Sequence, residues 1–347
     1  MRDQTYFSKK VTFLNVVLTF LVVLLHSETP LRFGLPLDDT YPFIYLIFTL
    51  SQLGVPMFFF ISAVLFYRAC SFDSLENKYE RRVRSLLIPY LIWNTFFVLV
   101  FVALTHIPFF QDRMRISPDL FNTPHKIINA IIHSKCTPLW FVKDLMLLTL
   151  MAPLTLLLLR DLRWLITALG LSLIVALRGN YSYENILVWI PLYLQGAIIG
   201  HYSFKSGKYV SADTFIKSRV PRVFLSIALL LILIALYARL YVDDGFIRFF
   251  RYCAPIIVWV LCDFVLKSVL EKRFVIKPWM SYMFIIYCMH HFILNVLQKI
   301  ISLNTEPTRL ILNATFVVTP VITVLFIIML AKYMSRYSFY KYLSGGR

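Results

Sequence analysis

Residues 11–26 read VTFLNVVLTFLVVLLH, and this stretch decides how the rest of the chain is interpreted. It is apolar except for a few polar side chains. Together with Ser8, which precedes the stretch, they follow one another at intervals of four, three, four and seven: Ser8, Thr12, Asn15, Thr19 and His26. An α-helix has 3.6 residues per turn, so these positions lie along one face. The sequence predicts a membrane-compatible helix with one polar seam, defined by these five residues, that ends at a histidine.

The composition predicts an all-α, polytopic membrane bundle. Of the 347 residues, 59% are hydrophobic and 15% charged, against about 25% charged in soluble domains. Apolar runs of spanning length recur throughout. We predict one domain, residues 1–347, with about ten transmembrane helices at residues 11–27, 43–67, 85–106, 138–159, 164–178, 185–203, 222–242, 249–267, 279–298 and 309–331.

The distribution of basic residues predicts the orientation of the chain. A net charge of +17 would suit a nucleic-acid-binding protein, but the basic residues lie in short loops between spans, so no nucleic-acid partner is expected. With the N-terminus inside, inner segments hold 23 Lys and Arg residues and outer segments hold 11. This bias predicts that both termini are cytoplasmic and that membrane lipid is a partner.

Motifs for metals and nucleotides are missing from the sequence. The five cysteines form no CxxC pair, so neither a metal cluster nor a disulfide framework is expected. The sequence also has no phosphate-binding loop of the Walker type, no GxGxxG and no GxSxG. These absences disfavour an ATP-driven pump, a dinucleotide enzyme and a serine hydrolase, and we expect no permanently bound cofactor.

Histidines in the outer halves of two spans are the first candidates for chemistry. His26, with Glu28 two residues on, ends the first span, and His290 and His291 lie about eleven residues into the ninth. A histidine suits proton transfer near neutral pH. The alternative is inert histidines in the core or at the membrane interface. His291 shares a helix face with Cys288 and Asn295, and His290 shares a neighbouring face with Tyr287, so spacing alone does not decide between the two histidines.

Basic residues near the spans are candidates for binding a charged substrate group. Arg81, Arg82 and Arg84 lie at the cytoplasmic mouth of the third span, where arginine suits phosphate and lipid headgroups are the alternative. Lys143 and Asp144 lie within the fourth span. Lys143 is either a cation that meets a charged substrate group, or part of an internally satisfied ion pair with Asp144, or a side chain that extends to the membrane interface.

Five stretches together resemble the acyltransferase 3 family of integral-membrane O-acyltransferases. The ending LVVLLHS resembles the family's first helix, although Asn15 stands where the family has an arginine, separated from the histidine by ten residues. Ala63 also replaces a usual glycine. The remaining stretches are residues 54–62 (GVPMFFFIS), 81–90 (RRVRSLLIPY), 138–145 (PLWFVKDL) and 284–290 (FIIYCMH).

The resemblance implies an O-acyltransferase of the bacterial cytoplasmic membrane. The co-substrate would be a cytoplasmic acyl-CoA, expected to be acetyl-CoA, and the acceptor a hydroxyl of a cell-surface or exported glycan or glycolipid. It implies His26 as general base and His290, rather than His291, as the second histidine, with Glu28 orienting His26. The donor would be bound by Asn15 and by cations from this set: Lys10, Arg81, Arg82, Arg84 and Lys143.

A transporter or flippase of a glycan intermediate is the alternative function. Ten spans with polar residues inside the membrane are compatible with transport. The sequence has no pair of Gly- or Pro-broken helices in matching halves, which disfavours this alternative.

Overall fold

Helices make up 80% of the structure, which confirms the predicted all-α class. The computed structural model describes residues 2–38, 40–107, 121–134, 138–179, 181–205, 208–212 and 244–346. Within these ranges the strands are β1 (Phe204–Lys205) and β2 (Lys208–Tyr209), which pair antiparallel as a short hairpin. The rest of the architecture is helix packed on helix.

The α-helices of the described ranges follow one another along the chain. They are α1 (Arg2–Leu25), α2 (Thr29–Arg32), α3 (Pro42–Ser51), α4 (Gly54–Tyr67), α5 (Leu75–Arg82), α6 (Ile88–Thr105), α7 (Pro124–Ile132), α8 (Trp140–Leu150), α9 (Ala152–Leu158), α10 (Leu162–Arg178), α11 (Ile190–Tyr202), α12 (Asp244–Leu261), α13 (Lys267–Lys272), α14 (Met283–Asn304), α15 (Arg309–Met334) and α16 (Tyr340–Ser344). Short 3₁₀ turns occur at Phe72–Ser74, Ile186–Val188 and Pro278–Tyr282, and π-helical turns at Val83–Leu87 and Cys262–Leu266.

Within the described ranges, six helical segments are long and apolar enough to cross a membrane. They are Thr5–Arg32, Pro42–Tyr67, Phe72–Thr105, Arg251–Lys272, Pro278–Asn304 and Arg309–Met334. They coincide with the predicted first three and last three spans. The predicted fourth span is a bent pair, α8 and α9, which would make a seventh. Helices α10 and α11 lie at the fifth and sixth predicted spans and have 17 and 13 residues, so they are shorter than the six segments above. The seventh predicted span, residues 222–242, lies outside the described ranges. Ten spans and cytoplasmic termini therefore stay predictions.

The bend between α8 and α9 has a local cause. The two helices meet at 55° around Met151. Pro153 is the second residue of α9. A proline lacks the N–H that would continue the helix, and its ring clashes with the carbonyl four residues earlier. The fourth predicted span is therefore broken near its middle.

The outer surface of α15 is suited to hydrocarbon. Leu310 and Met329 expose 79% and 64% of their surface, whereas Thr319 and Thr323 on the same helix are buried. A helix in water would show the reverse pattern. Apolar side chains out and hydroxyls in is the arrangement expected of a helix surrounded by lipid.

Two glycines bring α4 and α11 into close contact. A side chain at Gly196 would overlap the carbonyl oxygen of Phe60, and a Cβ at Gly200 would lie 2.6 Å from the carbonyl oxygen of Val64. Glycines four residues apart let helix backbones approach closely in membranes. This pair therefore sets the distance between the two helices.

A buried ion pair joins the N-terminal part of α1 to the π-helical turn after α12. Lys10 Nζ lies 2.7 Å from Asp263 Oδ1, and both side chains are almost wholly buried. The ammonium also donates to Tyr209 Oη at 3.1 Å and to the carbonyl oxygen of Trp259 at 2.8 Å. Tyr6 and Tyr209 donate to the Asp263 carboxylate at 2.7 and 2.9 Å. Each charge in this cluster has several partners.

Replacing Lys10 with methionine is expected to destabilise the protein by about 3–5 kcal/mol, because it leaves the buried Asp263 carboxylate without its cation. The measurement is unfolding of the purified protein in detergent. The control is Arg84→Met, which breaks the exposed pair with Glu80 and should cost about 0–1 kcal/mol. Equal losses in the two variants would contradict a structural role for the Lys10 pair.

Candidate active site

An internal cavity of about 280 Å³ lies along the polar seam. Thr12, Asn15 and Thr19 line it, so these seam residues of α1 face the interior of the bundle. The other walls come from α4, the segment of α5 and its π-helical turn, α8, and the start of the ninth predicted span. Their lining residues are Phe58, Ile61, Ser62, Leu65, Arg82, Leu86, Phe141, Val142, Leu145, Met280, Ser281, Met283, Phe284 and Tyr287. A largely apolar cavity with a few polar groups is typical of a small-molecule site.

Arg82 supplies the positive charge of this cavity. Its guanidinium donates one hydrogen bond, from Nη2 to the carbonyl oxygen of Ser62 at 3.1 Å, and lies 5.5 Å from the centre of the Phe66 ring. Within the described residues no carboxylate pairs with it. A half-buried guanidinium that lines a cavity and has several donors is suited to an anionic ligand.

The other predicted donor-binding cations lie elsewhere. Arg81 is exposed, and Arg84 is exposed and paired with Glu80. Lys10 is held in the buried cluster with Asp263, and none of the three lines the cavity. The π-helical turn Val83–Leu87 begins directly after Arg82, and such turns are frequent at functional sites.

Three histidines meet at the other end of the seam. The ring centre of His26 lies 5.1 Å from that of His290 and 5.1 Å from that of His291. His26 follows the last residue of α1, and its backbone N–H closes the final turn on Val22. The structure therefore brings the two predicted catalytic histidines, His26 and His290, close together, and it places His291 beside them.

Hydrogen bonds next to His26 hold this end of α1 in place. Ser27 Oγ donates to the carbonyl oxygen of Phe316 at 3.1 Å. Gln298 donates from Nε2 to the hydroxyls of Ser27 and Thr319, at 2.8 and 3.2 Å. These contacts join the end of α1 to α14 and α15 at the residue after His26, and they hold the backbone of His26 in place.

The hydrogen bonds of His290 define which of its nitrogens is the base. Its ring is fully buried, and Nδ1 lies 2.8 Å from the carbonyl oxygen of Tyr287 and 3.1 Å from that of Ile286. A carbonyl oxygen only accepts, so Nδ1 carries the hydrogen in the neutral ring. Nε2 is then a lone-pair acceptor, and it has no hydrogen-bond partner in the described residues.

His291 belongs to a polar chain that leads away from the cavity. Asn295, one turn later on α14, lies 3.2 Å from His291 Nε2 through its amide nitrogen. The amide oxygen of Asn295 accepts a hydrogen bond from Arg32 Nη2. Arg32, the last residue of α2, is therefore connected to His26 through Asn295 and His291.

Tyr287 lies between the cavity and the histidines. It lines the cavity, and its ring centre is 6.0 Å from that of His290. Its hydroxyl donates to the carbonyl oxygen of Pro138 at 2.5 Å. One side chain therefore separates the end of the cavity from the buried histidine.

The remaining predicted residues lie around this region without lining the cavity. Lys143 Nζ is 3.7 Å from Asp144 Oδ1, and Asp144 is buried while Lys143 is partly exposed. Lys143 and Asp144 therefore lie close enough for an ion pair, and Asp144 Oδ2 has no hydrogen-bond partner in the described residues. Glu28 is half-buried and lies immediately before α2.

Arg32 is a site residue that the sequence patterns do not single out. The signal was available, because an arginine six residues after His26 closes the same apolar segment. In the distribution of basic residues, Arg32 contributes only one charge to a predicted outer segment. The contact with Asn295, 263 positions away, depends on packing of α2 against α14.

Comparison with known proteins identifies the class. The acyltransferase 3 family, described as an acyltransferase domain, matches residues 10–342, and the chain belongs to this family. With its several apolar helices, it is a multi-pass membrane acyltransferase. The search of curated proteins and the search of solved structures gave no match.

Proposed function

We propose that the protein transfers an acyl group, acetyl in the simplest case, from acyl-CoA to a hydroxyl of a glycan. The observation that carries the proposal is that Arg82 lines the cavity along Thr12, Asn15 and Thr19, and that three histidines meet where this polar seam ends. Thr12 and His26 are fourteen residues apart, which is about 21 Å along a helix. A linear donor can therefore be held by its phosphates at one end while its thioester reaches the other.

Arg82 is proposed as the main donor-binding cation. It lines the same cavity as Asn15, which occupies the position of the family arginine. A guanidinium pairs with phosphate through two parallel hydrogen bonds. The Asn15 amide can both donate to and accept from the amide groups of the pantetheine arm. Arg81 and Arg84, exposed beside Arg82, would contribute attraction over a longer range.

His26 is proposed as the general base. It removes the proton of the acceptor hydroxyl as that oxygen attacks the thioester carbonyl carbon. The carbon–sulfur bond then breaks, and the thiolate of CoA receives the proton from the His26 imidazolium. The products are the ester and free CoA. An acyl-histidine route would use the same residue as nucleophile.

His290 is proposed to act through His26. Its Nδ1–H is engaged by backbone carbonyls, so neutral His290 cannot donate a hydrogen bond from Nε2 to an acyl carbonyl. Its Nε2 can instead accept the N–H of His26 and so stabilise the imidazolium, as the third member of a catalytic triad does. This favours a relay over polarisation of the carbonyl. Glu28, two residues from His26, is proposed to add negative charge beside the imidazolium.

The acceptor is proposed to be an exported or surface glycan, or its lipid-linked precursor, at a bacterial cytoplasmic membrane. The Arg82 end would then face the cytoplasm, where acyl-CoA is available, and the histidine end would face the opposite side. Gly345, in the tail that is predicted to be cytoplasmic, contacts Ser85 close to Arg82, and Met280, at the predicted inner end of the ninth span, lines the cavity with Arg82. This arrangement agrees with the predicted orientation.

The test uses purified full-length protein in detergent. We expect acetyl-CoA to bind and CoA thiol to be released at a rate that rises with added glycan from the producing cell envelope. A protein that binds no acyl-CoA and releases no CoA, while glycan export in cells depends on it, would contradict the proposal and favour transport.

A further inference from the structure

A second cleft of about 470 Å³ opens beside the histidine cluster. It is lined by the end of α2, the end of α14 and the loop that follows, and it is distinct from the internal cavity. Its residues are mostly polar or charged: Arg32, Phe33, Lys299, Ser302, Leu303, Asn304, Thr305, Glu306 and Pro307. The volume lies within the range of about 300–1,000 Å³ that is usual for small-molecule sites.

The charges of this cleft favour an anionic, hydroxylated ligand. Two cations, Arg32 and Lys299, face one carboxylate, Glu306. Within the described part of the chain, Lys299 and Glu306 form no ion pair with each other or with a third residue. Both side chains are exposed. Two opposite charges that line one cleft without pairing can each bind a group of a ligand.

Arg32 joins this cleft to the proposed catalytic site. It lines the cleft, and it also donates to Asn295, which contacts His291. The His291 ring centre is 5.1 Å from that of His26. A ligand in the cleft is therefore connected to the proposed general base through a short chain of polar side chains.

We propose that this cleft binds the acyl acceptor and that the acceptor is an acidic saccharide. Lys299 and Arg32 pair with a sugar carboxylate, Glu306 accepts hydrogen bonds from sugar hydroxyls, and Phe33 supplies an apolar wall. A hydroxyl of the neighbouring sugar then lies toward His26. The inference rests on the proposed function, because it takes His26 as the base that receives the proton of the acceptor hydroxyl.

The test compares two matched ligands, trigalacturonate and its carboxyl-reduced, neutral trisaccharide. Binding to purified full-length protein at low salt is measured by calorimetry. We expect trigalacturonate to bind about tenfold more tightly than the neutral trisaccharide, and Lys299→Gln to remove most of that difference. Glu306→Gln should weaken both ligands. The control is Lys332→Gln, an exposed lysine in the last turn of α15, which should change neither.

Three results would overturn this assignment. They are equal affinity for the two trisaccharides, no binding of either, or the same loss in the Lys299 and Lys332 variants. CoA binding is measured in the same preparations, and it reports on folding and on the donor site separately. CoA binding without trisaccharide binding contradicts the acceptor cleft alone. Trisaccharide binding without CoA binding or release contradicts the acyltransferase proposal.

Discussion

Replacing His26 with alanine is expected to lower the rate of acyl transfer by about 10²–10⁴-fold, the usual contribution of a general base. The imidazole lies 5.1 Å, between ring centres, from each of two other histidines, and His26 is the residue proposed to take the acceptor proton. Transfer is measured as CoA release with acceptor present. The affinity for acyl-CoA should stay near the wild-type value, because His26 does not line the donor cavity.

The control for this prediction is His201→Ala. His201 is exposed on α11, and its ring contacts Tyr202, away from the histidine cluster. This variant should keep full activity. If His26→Ala transfers at the wild-type rate with equal protein and equal acyl-CoA binding, His26 is not the base.

Replacing Arg82 with glutamine is expected to weaken acyl-CoA binding by about 10–100-fold. Hydrogen bonds to charged groups are worth about 1.5–3 kcal/mol, and each 1.4 kcal/mol is tenfold in affinity. Glutamine keeps one donor for the carbonyl of Ser62, so the loss reports on the charge. The measurement is the dissociation constant of CoA, which should also become less sensitive to salt.

Arg84 provides the matched control, because it lies two residues away but is exposed and paired with Glu80. Arg84→Gln should bind CoA nearly as the wild type does. Adding Asn15→Arg to the Arg82 variant should recover part of the affinity, since Asn15 lines the same cavity and the family carries arginine there. Equal CoA affinity in the Arg82 variant and the wild type would contradict the donor site.

The face of α1 that lines the cavity could be predicted from the sequence. Polar residues at helical spacing in an apolar segment have to avoid lipid, so Thr12, Asn15 and Thr19 were expected to face inward. The all-α class, the family and the importance of His26 also follow from local patterns and motifs. Each depends on residues that are close together in the chain.

Which cation enters the cavity could not be predicted in this way. Lys10 lies between the seam residues Ser8 and Thr12, yet it pairs with Asp263, while Arg82 from another helix lines the cavity. The periodicity of 3.6 defines the faces of one helix, not the helix that each face meets. The π-helical turn Val83–Leu87 is a second reason, because it rotates the residues that follow it around the helix axis relative to a regular α-helix.

The sequence by itself determined that a histidine ends a polar seam in a membrane acyltransferase. Only the tertiary structure decided what surrounds that histidine. His290 and His291 are equally close to His26, and they differ because backbone carbonyls engage one and Asn295 the other. Arg32 enters through a contact across 263 positions. Such contacts depend on how separate helices pack, and local periodicity carries no information about that packing.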